Sequence, residues 1–286
     1  VGQRVSGRHG VERRLLAAGG RLDAHSAPVA SRQEVVNHLE SLFAIGIIGR
    51  GEVDEHVEPL FGLEKVENIA ELFRLDDDCV VAPDWVAGMA GVLARPSVGA
   101  AFCAVDPEPH NPRAGFVPSF SVEHERTWRS LWRGRHLGIG AGRGVRREVI
   151  EDLGGFDEFL GPGARFPSAD DGDLAVRVVA SGWSVIDTPS PRVVHHGFRS
   201  WDEGIGLSRR DFFAIGAQQA KALRCGVWQV LPSIFAVAIR QCTVRPLVRA
   251  ARLRRRPEGL GRGLHYWRGF LAGIRHDVDR ERVLFA

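Results

Sequence analysis

Apolar positions change rhythm along this chain. Residues 1–30 mix Arg, Gly, Ala, Ser and His with little periodicity and predict no strand. From Ser31 the pattern turns helical: Ser31 and Glu34 have capping-box spacing, and Val35, Val36, Leu39, Leu42 and Phe43 share one face before Gly46. The run from Val66 to Leu75 predicts a strand or short helix leading into Asp76, Asp77 and Asp78. Pro83 suits the first turn of a helix carrying Trp85, Met89, Val92 and Leu93, which Pro96 stops. Val98 to Val105 reads as a short buried strand, and Val145 to Leu153 as a helix closed by Gly154 and Gly155. Ser168 is placed to cap a helix starting near Asp170, with Leu174, Val178 and Val179 inward and Gly182 at its end. Ser184 to Asp187 and Pro191 to His195 follow as two extended segments. From about Leu207 only long helical patterns remain. Strands alternating with helices, then helices alone, predict an α/β domain with a helical C-terminal extension.

Composition narrows the function classes. The formal charge of +3 over 286 residues gives no reason to expect a nucleic-acid backbone as partner. Lys65 and Lys221 are the lysines, so the positive charge is almost all arginine, a bias that a GC-rich coding sequence produces without any function. Cys79, Cys103, Cys225 and Cys242 are far apart and signal neither a zinc site nor a disulfide framework. The N-terminus lacks a secretory pattern, and no segment offers the roughly 18 uncharged apolar residues of a span, so the expectation is a cytoplasmic protein. Val227 to Ile239 is nevertheless almost wholly apolar, interrupted by Gln229, Pro232 and Ser233. Arg240, Arg249, Arg252, Arg254, Arg255 and Arg256 follow. Apolar surface beside basic charge predicts peripheral contact with the inner face of a membrane.

Candidate chemistry lies in two acidic clusters. Asp76 and Asp78 stand two apart where an apolar run stops; in an extended segment they share one side. Carboxylates at a strand's carboxyl end suit Mg²⁺ or Mn²⁺ carrying a diphosphate. Asp170, Asp171 and Asp173 open a helix, where the dipole stabilises negative charge and a general base would be held in place. His195 and His196 follow Val193 and Val194, and strand alternation brings one of them to the metal, with His195 favoured.

The segment FRLDDDCVVAPDWV resembles the DxD strand and following helix of family 2 glycosyltransferases. GVRREVIEDLGGFDEFLGPG and ADDGDLAVRVVASGW resemble their acceptor-side helix, Gly-Gly-Phe-Asp-Glu loop and ED-x-DL helix; SPRVVHHGFRSW resembles the strand ending in a histidine. The resemblance runs from about Phe73 to Trp201 and implies a GT-A fold, a Rossmann-like sheet for nucleotide-diphospho-sugars. It makes Asp76, Asp77 and Asp78 donor-binding, with Asp76 at the ribose and Asp78 on a Mg²⁺ or Mn²⁺ ion that His195 or His196 approaches. Asp171 becomes the base, with Asp170 in place of the usual Glu, and Gly155, Phe156 and Asp157 line the acceptor side. The implied reaction is an inverting transfer from a nucleotide-sugar donor to a hydroxyl of a saccharide or lipid-linked acceptor. The implied domains are an atypical, truncated or divergent nucleotide half over 1–70, a catalytic core over 71–205 and a helical extension over 206–286.

The sequence departs from the family pattern at Gly140–Gly144, where a small Asn-Met-like pair is usual, and in residues 1–70, where the family's opening strand and base-binding residues are missing. A non-catalytic GT-A-like protein is therefore the alternative. A haloacid-dehalogenase-like phosphohydrolase also fits Asp76 to Val80, but needs a lysine that the stretch from Asp78 to Asp170 lacks. Gly138, Gly140 and Gly144 do not make a dinucleotide fingerprint.

Overall fold

The computed structural model describes residues 71–133, 138–254 and 260–286. The helix expected from Ser31 and the whole 1–70 unit lie outside them. The chain runs through β1 (Glu71–Leu75), β2 (Cys79–Val81), α1 (Trp85–Leu93), β3 (Val98–Pro107), β4 (Gly115–Phe116), β5 (Arg126–Trp128) and β6 (Gly142–Arg146). Next come α2 (Arg147–Asp152), α3 (Asp170–Ala180), β7 (Ser184–His195) and β8 (Arg199–Ser200). The main sheet has the order β1-β6-β3-β7-β2, with β5 also paired to β7. β3 and β7 are parallel, while β6 runs antiparallel to both β1 and β3. β1, β3 and β7 therefore point the same way, and their carboxyl ends share the edge at which open α/β sheets gather ligands.

Side-chain alternation on β3 builds the core on both faces. Ala100 and Phe102 pack with Val149 of α2 and Leu174 and Val178 of α3. Ala101, Cys103 and Val105 pack with Trp85, Met89 and Leu93 of α1. Each large side chain so buried contributes about 1.5–3 kcal/mol. A strand covered twice reads as a continuous apolar run, which is why Val98 to Val105 stood out. This mixed α/β sheet, followed by helices, is the architecture expected of a GT-A-like protein.

Several local expectations change. The predicted helix from Val145 begins at Arg147, because Gly142–Arg146 is a strand squeezed between β1 and β3. Gly144 fits there because a side chain would strike Phe73 and Leu93. Pro83 precedes α1, whose N-cap is Asp84. Ser168 does not cap α3: Ala169 occupies the N-cap in the left-handed region, at φ 71°, without a side-chain cap. The two extended segments before His195 are one strand, interrupted where Cys103 pairs with Thr188 and Ala104 with Arg192.

The helical extension begins earlier than Leu207. Ser200 and Glu203 form a reciprocal capping box that starts α4 (Trp201–Arg224). A continuous helix then runs through α5 (Leu231–Ile234), a π-helical stretch (Phe235–Val244) and α6 (Arg245–Leu253). α7 (Leu260–Arg275) lies against α4, and a pair of short strands, β9 (Val278–Asp279) and β10 (Leu284–Phe285), closes the chain. At Gly216, Gly269 and Gly273 an added Cβ would collide with the partner helix's backbone, so glycine permits this close packing.

Candidate active site

β1 and β2 stand at opposite ends of the sheet order, and the three aspartates carry the chain between them. The turn is closed by the Cys79 N–H donating to the Asp76 carbonyl at 3.1 Å. It is this turn, rather than strand alternation, that brings Asp76 and Asp78 together; Asp77 between them faces solvent. Pairing of β2 with β7 sets Cys79 opposite His195. Candidate ligand atoms of Asp76, Asp78, Cys79 and His195 lie within 4.8 Å of one another.

The His195 ring fixes what this cluster needs. Its Nδ1 lies 3.1 Å from the Pro118 carbonyl, which only accepts, so Nδ1 carries the proton. In neutral imidazole Nε2 then bears a bare lone pair, yet it sits 3.0 Å from Asp78 Oδ1. A lone pair and a carboxylate oxygen at that distance call for a shared cation, either a proton or a metal. Gly197 leaves the approach clear, since a Cβ there would press on Asp78 Oδ2 and the His195 ring. Arg199 stands 3.6 Å from Asp78 Oδ2. His196 turns away, its Nδ1 2.8 Å from Glu108 Oε2.

Burial raises the Asp76 carboxyl above its ordinary range, against the pull of Arg74. Burial, reinforced by the charges of Asp76 and Asp78, pushes the Cys79 thiol up to about 12. With no metal beside it, Cys79 is thus a neutral thiol at neutral pH. The two carboxylates and the imidazole are oxygen and nitrogen donors, a set that fits Mg²⁺ or Mn²⁺.

The second cluster lies at the amino end of α3. Asp171 Oδ2 accepts from the Gly140 N–H at 2.7 Å, and Oδ1 accepts from Arg143. Gly140 has no alternative, because a Cβ would occupy the space of that carboxylate. Arg143 is buried on β6, also lies 3.5 Å from Asp170, and passes over the Phe156 ring at 4.7 Å. Arg74 approaches Asp170 from the other side at 3.5 Å. Desolvation raises Asp171 to about 6, outweighing Arg143. Its side chain stays 27% exposed, and each oxygen retains a lone pair. A carboxylate with that affinity for protons is suited to general-base work near neutrality.

The acceptor-side loop divides. Gly155 adopts φ 86° and Phe156 is exposed. Asp157 turns inward: Oδ2 lies 2.6 Å from Lys221 Nζ and accepts from the Phe285 N–H at 2.9 Å. Lys221 also reaches Asp173 at 2.7 Å, and Arg177 binds the Gly155 carbonyl at 2.7 Å. This buried ionic group clamps the loop between α3, α4 and the C-terminal strand. It also fully engages Lys221.

Sequence reasoning missed Cys79, Arg143 and the Lys221 clamp. A lone arginine within Gly-rich Gly140–Gly144 was the available signal for Arg143; nothing linear joins Lys221 to Asp157.

No family model matches the chain. It is 32% identical over 148 residues to the O-antigen biosynthesis protein RfbC of Myxococcus xanthus, covering 44% of this chain and 11% of that protein. The chain thus spans about a ninth of that relative's length. The solved structure of mannosyltransferase PcManGT from Pyrobaculum calidifontis, in complex with GDP-Man and Mn²⁺, aligns at TM-score 0.40 and 17% identity, covering 94% of this chain and 72% of that one. Likeness at that level leaves function to be argued from the site.

Proposed function

We propose that this chain is a metal-dependent, inverting glycosyltransferase of the GT-A, family 2 type. The observation that carries the reading is the meeting of Asp76, Asp78 and His195 at the carboxyl ends of β1 and β7, with His195 Nε2 aimed at Asp78. The catalytic core runs from residue 71 to the start of α4 at Trp201, the helical extension follows from there, and the nucleotide half is assigned to 1–70. Asp76 takes the donor ribose, and Asp77 lies at the solvent side of the donor. Asp78 and His195 hold Mg²⁺ or Mn²⁺, which when bound supplies positive charge to the departing nucleoside diphosphate. Asp171 removes the proton from the acceptor hydroxyl, whose oxygen then attacks the anomeric carbon from the face opposite the diphosphate. The Gly140 N–H and Arg143 hold the Asp171 carboxylate, and Asp170 lies against the same Arg143 guanidinium. Gly155 and the exposed Phe156 border a saccharide or lipid-linked acceptor, and Asp157 holds their loop.

A thermal-shift screen of UDP-, GDP- and dTDP-sugars, with and without Mn²⁺, tests the reading. A ligand that binds the folded chain at 100 times its Kd stabilises it by about 2.7 kcal/mol. The expected result is stabilisation by one nucleotide class, dependent on Mn²⁺. Stabilisation without any transfer of the sugar to an acceptor or to water, and so without release of nucleoside diphosphate, would instead favour the non-catalytic alternative.

A further inference from the structure

The continuous helix from Leu231 to Leu253 has two opposed faces. Ala238 and Cys242 point inward and pack with Tyr266, Phe212 and Phe270. On the other side Leu231, Phe235, Ile239, Val244 and Val248 are exposed, Phe235 by 64%. They recur every four or five residues, the spacing that keeps one line along a helix whose middle is π-helical, where i→i+5 bonding widens the turn. α7, which packs on this helix, repeats the arrangement. Tyr266, Gly269 and Gly273 face inward, while Leu264, Trp267, Leu271 and Ile274 are exposed at the spacings of a second helical stripe. Two adjoining helices thus each spend one apolar face on the core and leave another uncovered, more than scattered surface residues account for.

Charge decides what would cover it. Residues 228–275 contain ten arginines and a single acid, Glu258, whereas the whole chain carries only +3. The region is thus a basic stretch of a sequence whose remainder is net acidic. Arg240, Arg245, Arg252, Arg268 and Arg275 are exposed, and none has an acidic partner among the described residues. A second copy docking here would set arginines against arginines. Trp228 and Trp267, both exposed, are the side chains that settle at a membrane–water boundary. Among the described residues no helix is long and apolar enough to cross a membrane.

We infer that the face formed by the Leu231–Leu253 helix and α7 lies in the surface of an anionic lipid bilayer, its apolar stripes in the acyl boundary and its arginines at the headgroups. The inference stands apart from sugar transfer. It is tested by flotation of the full chain with phosphatidylglycerol–phosphatidylcholine vesicles and with pure phosphatidylcholine vesicles. Binding to the anionic vesicles is expected at low salt, with weaker binding to the neutral ones and release by added salt. The double variant Phe235→Ser, Val248→Ser should lower the bound fraction at least about tenfold, since each loses buried apolar surface in the membrane. Because both side chains are exposed, the double variant should melt like the wild type. Absence of flotation with anionic vesicles at low salt overturns the inference. So does a concentration-dependent dimer that the double variant abolishes while vesicles bind neither form.

Discussion

Asp171→Asn is expected to lower kcat about 10²- to 10⁴-fold, the usual worth of a positioned general base, while donor binding stays close to wild type. Asn keeps the shape of the side chain but cannot take the acceptor proton, and it accepts from only one of the two donors, Gly140 N–H and Arg143, that hold the carboxylate. In the wild type the base must be ionised to act. With Asp171 raised to about 6 by desolvation, kcat/KM should fall as pH drops through that value and level off above it. The variant should lose this acidic limb. Wild-type turnover by Asp171→Asn, or an unchanged acidic limb in it, would remove Asp171 from the role.

Lys221→Met should destabilise the fold by about 3–5 kcal/mol, because it leaves buried Asp157 without a counter-charge and Asp173 with Arg177 alone, 3.7 Å away. Asp157 and Asp173 are both essentially inaccessible, and Lys221 is fully buried between them. Burial already raises Asp173 above its ordinary range in spite of Lys221 and Arg177. The urea midpoint should drop, and the loop around Phe156 should open to protease, since its Asp157 anchor is lost. An unfolding free energy within about 1 kcal/mol of wild type would mean that the apolar contacts of Phe166 and Phe285 hold this region on their own.

Legibility of the fold followed the range of the forces involved. β3 and α3 were readable because their burial is periodic and local: an apolar run covered on two faces, and a helix with Leu174 and Val178 on one stripe. β6 was not, because Gly142 and Gly144 are selected by neighbours, Cys103 and Val193 for one and Phe73 and Leu93 for the other, that are distant in sequence. The start of α4 was missed because Ser200 and Glu203 carry the signal in polar side chains, ahead of the first apolar periodicity.

At the site, residue types pointed to Asp78, His195 and Asp171, but not to how they are held. His195 is distinguished from His196 by the Pro118 carbonyl behind its ring, a contact 77 residues away in sequence. Arg143 could not be tied to Asp171 without the pairing of β6 with β1 and β3. Asp157 read as an acceptor residue from its motif, and its turn toward Lys221 depends on α4 crossing behind the loop.

In the proposed site Asp78 and His195 hold the cation that a nucleoside diphosphate brings. Calorimetric titration of UDP, GDP and dTDP into the wild type and Asp78→Ala, each with and without Mn²⁺, tests it most directly. One diphosphate should bind the wild type only when Mn²⁺ is present, and Asp78→Ala should bind it in neither condition while melting like the wild type. Equal binding by Asp78→Ala and the wild type, or wild-type binding indifferent to Mn²⁺, would contradict it.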